Sequence, residues 1–182
     1  MIQGKYRELS RQQLLQKVEK LGIDYERYCG SCSQCAAAAL REVLDFEDIV
    51  VKVATSSCGG QAGISTGVCG AVIGGTIVLD YYLGRPANML SPVETIPGSH
   101  EMLGNAMEYA RLLCGKFTET YGSILCPGVQ TRLYGRAFNL QDEKEWQAFM
   151  DAGAHSDPTK CMSVVGNAAK WTLEILLDKK AV

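Results

Sequence analysis

Apolar residues recur at helical spacing through most of the chain. From Leu9 to Leu21 they mark one face of a helix, with Ser10 as its cap and Gly22 as its stop. Ser31-Cys32-Ser33-Gln34 reads as a capping box, and the helix it opens runs through four alanines to about Leu44. Ile49 to Ala54 is short and rich in valine, and its pattern fits a strand or a buried helical turn equally well. A glycine-rich loop, Ser56 to Gly67, leads to an apolar helix capped by Thr66 and running to about Leu83. Gly84 to Gly98 holds three of the five prolines and reads as an irregular connection.

The second half repeats the helical period. A long helix spans Ser99 to Thr120, with Leu103, Ala106, Ala110, Leu113 and Phe117 as its apolar stripe. Pro127 opens a short helix that ends near Gly135, and Asp142 to Met150 makes a further turn or two. Asp157-Pro158 is a helix-start signal, a capping aspartate followed by proline at the first helical position. The last helix then runs to about Leu177, with Val164, Val165, Ala168, Thr172, Ile175 and Leu176 on one face. No second segment alternates like a strand. The pattern predicts an all-α protein, a single-domain helical bundle. Residues 1–28 form an N-terminal helical segment, and residues 29–182 a cysteine-rich helical domain.

Charge changes this picture little. The formal net charge of -2 predicts neither a nucleic-acid partner nor attraction to an anionic membrane. Met1 to Ser10 is polar and lacks the apolar core of a signal peptide. The longest apolar run, Val68 to Leu79, is broken by three glycines and stops at Asp80, too short to cross a bilayer. These features predict a soluble, cytoplasmic protein.

The eight cysteines change it more. In a reducing compartment such a number points to metal ligation or redox chemistry before disulfide staples, although a cysteine also serves as a small buried hydrophobe. Laid on the predicted helices, Cys35, Cys69, Cys126 and Cys161 each fall at a helix start. A helix start exposes unpaired N–H groups and the positive end of the helix dipole, and both favour an anion such as a thiolate. Four such starts converging on one point would suit an iron–sulfur cluster, whose sulfurs accept amide hydrogen bonds. Zinc is the alternative metal, though structural zinc sites favour close C-x-x-C pairs and three of these four cysteines are isolated. Redox thiols without metal remain a third reading. Glycine within Cys69-Gly70-Ala71-Val72-Ile73-Gly74-Gly75 costs helix stability, so it implies a close approach. Gly70 fits room for a cofactor; Gly74 fits either a cofactor or close helix packing.

The order of these features resembles a known family. A cysteine precedes an alanine-rich helix (Cys35 to Leu40), and a glycine-rich loop follows (Gly59-Gly60). A Cys-Gly-Ala-x-x-Gly helix comes next (Cys69 to Gly74), then a Tyr-Gly-Ser stretch leading to a third cysteine (Tyr121 to Cys126), and a fourth cysteine opens the last helix (Cys161). This is similar to the C_GCAxxG_C_C family of prokaryotic redox-active proteins, common in anaerobes, and to the related domain of split-Soret cytochromes. The resemblance covers roughly Gly30 to Leu177. It implies a helical domain with a redox role, and an iron–sulfur cluster on Cys35, Cys69, Cys126 and Cys161. The chain lacks a C-x-x-C-H sequence, so the haem attachment of the cytochrome relatives is not expected.

Four cysteines fall outside that pattern. Cys29 and Cys32 form a C-x-x-C ahead of a helix, a setting for a redox dithiol. With Cys58 from the glycine-rich loop, they could instead serve as auxiliary metal ligands. Cys114 lies inside a long helix and reads as a structural thiol. His155 and His100 read as surface residues. Gly59-Gly60-Gln61-Ala62-Gly63 lacks the lysine of a phosphate-binding loop. The expected function is electron transfer or redox sensing with an iron–sulfur cluster and a redox partner protein. A homodimer would suit transfer across an interface. The alternatives are a metal-free thiol–disulfide protein using Cys29 and Cys32, and a zinc-binding interaction module.

Overall fold

A computed structural model describes residues 1–182. The chain forms eight helices: α1 (Arg11–Cys29), α2 (Cys32–Val43), α3 (Asp48–Val53), α4 (Gly70–Leu83), α5 (Ser99–Tyr121), α6 (Cys126–Tyr134), α7 (Glu143–Asp151) and α8 (Cys161–Asp178). Extended pairing is confined to two isolated antiparallel bridges, Ile2 with Leu44 and Val68 with Leu125. The protein is all-α, as the periodicity predicts. No helix is long and apolar enough to cross a membrane.

α4 is apolar on every side because it is the centre of the bundle. It packs against α2, α5 and α8, and α1 lies along α8 and α2. The main core gathers 28 buried residues, mostly from these helices, among them Leu40, Leu79, Phe117, Val165 and Leu176. Burying each such side chain contributes about 1.5–3 kcal/mol against chain entropy. Glycines set the closest crossings. A side chain at Gly74 would collide with the Ser33 carbonyl of α2, and a Cβ on Gly22 would come within 2.8 Å of the Gly166 Cα on α8.

That second crossing corrects one boundary. Gly22 does not stop α1; it lets α1 touch α8, and the helix continues for two more turns to Cys29. Gly30, at φ 66°, is the actual stop. Ser10 does cap α1, in a reciprocal capping box with Gln13. The capping box expected at Ser31 is not formed: the Ser31 hydroxyl donates to the Thr55 carbonyl, and the Gln34 amide donates to the Thr55 hydroxyl. Both side chains tie α2 to the end of α3, the segment that sequence pattern left between strand and helix. Thr66 does not cap α4, since pairing of Val68 with Leu125 keeps the chain extended as far as Cys69. Asp157 caps a turn at Thr159, and α8 begins only at Cys161. In α5, Ala106, Leu113 and Phe117 are buried, but Leu103 is exposed because the first turns of that helix project beyond the bundle.

A second, smaller apolar cluster stands apart from the main core. Phe138, Phe149 and Ala154 form its buried centre, with Tyr134 and Leu140 against it. The space between the two clusters is the site.

Candidate redox site

The Val68–Leu125 bridge does the first part of the assembly. Around it the Cys69 N–H donates to the Ile124 carbonyl at 2.8 Å, and the Cys126 N–H donates to the Gly67 carbonyl at 2.9 Å. Two cysteines remote in sequence are thus held on paired segments. Each then leads into a helix: Cys69 is the N-cap of α4, and Cys126 is the first residue of α6, ahead of Pro127. Cys161 is the first residue of α8, and its N–H donates to the Tyr134 hydroxyl at 3.3 Å. Cys32 is the first residue of α2. Four helix starts therefore present their unpaired amides and their dipoles to one region.

That region is a cavity of about 170 Å³, large enough for several waters. Cys32, Cys58, Cys69, Cys126 and Cys161 line it, together with Val129, Leu140, Phe149, Val164 and Val165. Cys58 arrives on the glycine-rich loop. Gly60, at φ 68°, lets that loop lie against Cys126, where a Cβ would approach the Cys126 Cβ to 3.0 Å. Trp146 lines the cavity yet is 40% exposed, which places it at the rim. All eight cysteines are free thiols.

Three polar side chains complete the wall. Gln130 is 1% exposed; its carbonyl oxygen accepts the Phe138 N–H at 2.8 Å, which turns its NH2 group onto the Cys126 sulfur at 3.3 Å. His155 sits edge-on to Phe149, and its Nδ1 lies 2.9 Å from the Glu26 backbone carbonyl. A carbonyl can only accept, so Nδ1 carries a proton and donates it. Glu26 itself is 2% exposed, and its Oε2 has no hydrogen-bond partner.

Burial governs the electrostatics. It pushes the Cys69 thiol up to about 12, with further upward pressure from Cys126, while the Ala71 and Val72 amides at the start of α4 act in the opposite direction. Burial likewise raises Cys126 to about 11, opposed by the Gln130 amide. Cys32, Cys35 and Cys161 move upward for the same first reason. Glu26 is pushed up to about 8 by burial, with the Cys35 thiol acting against that shift. Without a cation in the cavity, these groups stay protonated.

Of the four ligand candidates at predicted helix starts, Cys69, Cys126 and Cys161 share the cavity wall. Cys35 is buried one turn further along α2, beside Glu26, and is not on the wall; Cys32 takes the helix-start position instead. Cys58 is on the wall, whereas Cys29 is exposed at the end of α1 and Cys114 is partly buried in α5 against the main core. Gly70 and Gly74 do not line the cavity. A side chain on Gly70 would meet the Cys32 sulfur and the Ser57 carbonyl, so its missing side chain admits α2 and the loop. His100 is exposed as expected, but His155 is largely buried, because the aromatic cluster surrounds it. Glu26 and Gln130 were not anticipated. Glu26 had a signal: Leu14, Val18, Gly22 and Glu26 follow one another at four-residue spacing, and all four are buried on one face of α1.

No three His, Cys, Asp or Glu side chains come close enough together to hold a single metal ion. The thiols ring the cavity instead.

The protein is an all-helical bundle with a cysteine-walled cavity at its helix starts. The family model described as "Putative redox-active protein (C_GCAxxG_C_C)" matches residues 30–175, and the chain belongs to that family of redox-active proteins. No curated protein and no solved structure matches the chain.

Proposed function

We propose that the cavity holds an iron–sulfur cluster and that the protein transfers electrons to a partner protein or senses redox state. The observation that carries this reading is the ring of five thiols from five separate segments on one apolar wall. Thiolate is the usual ligand of such clusters, and helix-start amides suit their negative charge. A ring also fits a polynuclear group better than zinc, which draws its ligands to a single tetrahedral point. Cys69, Cys126 and Cys161 would hold the cluster together with the α2 thiol on the wall, Cys32; Cys35 stands directly behind it and Cys58 beside it. When bound, the cluster supplies one-electron transfer. The protein's own part is to exclude water with Phe149 and the valines, and to direct the Gln130 N–H to the Cys126 sulfur.

The metal-free dithiol reading fits less well. Cys29 is exposed, but burial drives Cys32 away from the thiolate form that such a pair needs. Anaerobically prepared protein is expected to be brown, to contain iron and acid-labile sulfide, and to lose both in Cys69→Ser. Protein that stays colourless after reconstitution would sink the proposal, and zinc without sulfide would replace it with a structural metal site.

A further inference from the structure

Glu26 is the one carboxylate on the cavity wall, with the Cys35 thiol beside it. Its side chain is 2% exposed, and Oε2 is buried without a hydrogen-bond partner. A buried carboxylate oxygen left unpaired is costly, and native structures retain one where a ligand or ion completes it. Its position is fixed from both sides. The His155 Nδ1–H holds the Glu26 backbone carbonyl at 2.9 Å, and the same ring nitrogen stands 3.8 Å from Oε1. The Nδ1 proton is spent on the backbone carbonyl, so the imidazole makes no hydrogen bond to the carboxylate and Oε2 has no protein partner. Glu26 also lies in the field of Cys32, Cys35, Cys69 and Cys161, thiols from three different helices or helix caps. No lysine or arginine lines this cavity. No cationic side chain of the fold can therefore pair Oε2, and a cation that does so comes from outside.

We propose that Glu26 is an oxygen ligand of the metal centre in this cavity, so that one metal position is bound by carboxylate and the others by thiolate. The proposal rests on the cluster reading above. A hard oxygen donor among soft sulfurs makes the metal positions inequivalent, and a carboxylate is more readily displaced than a thiolate. The Glu26 position would then be the one open to exchange. His155 acts on it as a positioning residue through the Glu26 backbone.

The test compares full-length wild type, Glu26→Gln and Glu26→Cys, each reconstituted anaerobically with iron and sulfide. Iron and sulfide are assayed, and electron paramagnetic resonance spectra are recorded after reduction. Glu26→Gln is expected to hold less iron per chain and to show shifted g values. Glu26→Cys should recover the iron content with a third, distinct spectrum. Circular dichroism of the metal-free variants separates loss of a ligand from loss of the fold, and Glu26→Cys carries the test if Glu26→Gln does not fold. Spectra and iron content unchanged in both variants would overturn the assignment while leaving the cluster reading intact. A wild-type protein that takes up no iron would overturn the cluster reading, and this assignment with it.

Discussion

The cavity has two unlike walls. One is built on α2, α4 and α8 and belongs to the main core, where 28 buried residues interlock and glycines let helix backbones touch. The other is built on α6, α7 and the turns beside them, around a small cluster whose buried members are Phe138, Phe149 and Ala154. The first wall presents Cys32 and Cys69; the second presents aromatic faces, His155 and the Gln130 amide, and Cys161, at the start of α8, packs against it. Cys32 and Cys69 thus sit on the stiff side. The softer side contributes the apolar faces of Leu140 and Phe149. Cys126 joins the two, since it starts α6 yet is tied by the Val68–Leu125 bridge to the start of α4.

Overpacking the stiff wall is expected to do the most damage. Gly74→Val must drive α2 away from α4, because the atom it strikes is the Ser33 backbone carbonyl. The loss is expected to approach the whole stability of the fold, roughly 5 kcal/mol or more, and to show as absence of a cooperative urea transition. A variant that melts like wild type would mean the two helices are not held rigidly.

Glu26 probes the dryness of the space between the walls. In the metal-free protein its carboxyl is raised to about 8, above an ordinary value of 4.5, with burial as the main cause. The folded state then keeps a proton that the unfolded chain has released. Stability is therefore greatest below the unfolded value and falls as pH rises through the window between the two, by up to about 4 kcal/mol. Urea midpoints at about pH 5 and about pH 8 should differ in this sense for metal-free wild type and much less for Glu26→Gln. Equal slopes in the two proteins would mean that water reaches the carboxylate.

Removing the centre of the softer wall should cost less. Phe149→Ala is expected to lose about 2–3 kcal/mol, at or below the low end for such truncations, since the cluster it centres has only three buried members and borders a cavity. Hydrogen exchange should quicken in α6 and α7 while α4 and α8 stay protected. Loss of protection in α8 as well would show that the walls are one cooperative unit.

Helical periodicity made most of the bundle legible, and cysteine placement made much of the site so. What escaped depended on contacts between segments distant in sequence. Gly22 reads as a stop unless Gly166 is known to lie against it. Thr66 reads as a cap unless Leu125 is known to hold Val68 extended. The shift from Cys35 to Cys32 on the cavity wall follows from the same cause, because α2 starts where Gly30 ends α1, and Ser31 and Gln34 turn to Thr55. His155 is buried by Phe149, a contact no local pattern encodes. Glu26 was within reach, since it continues a buried four-residue rhythm that becomes visible once α1 runs past Gly22.

The Val68–Leu125 bridge has a consequence for how portable this site is. Cysteine clusters built on a short loop can be cut out as peptides and still bind their metal. Here one pair of peptide hydrogen bonds, Cys69 to Ile124 and Cys126 to Gly67, sets the spacing of two thiols, and it exists only when the polypeptide between them has already folded back. No short fragment contains the wall. The site is a property of the finished tertiary structure, and grafting it onto another scaffold would mean transplanting that strand-like clasp along with the cysteines.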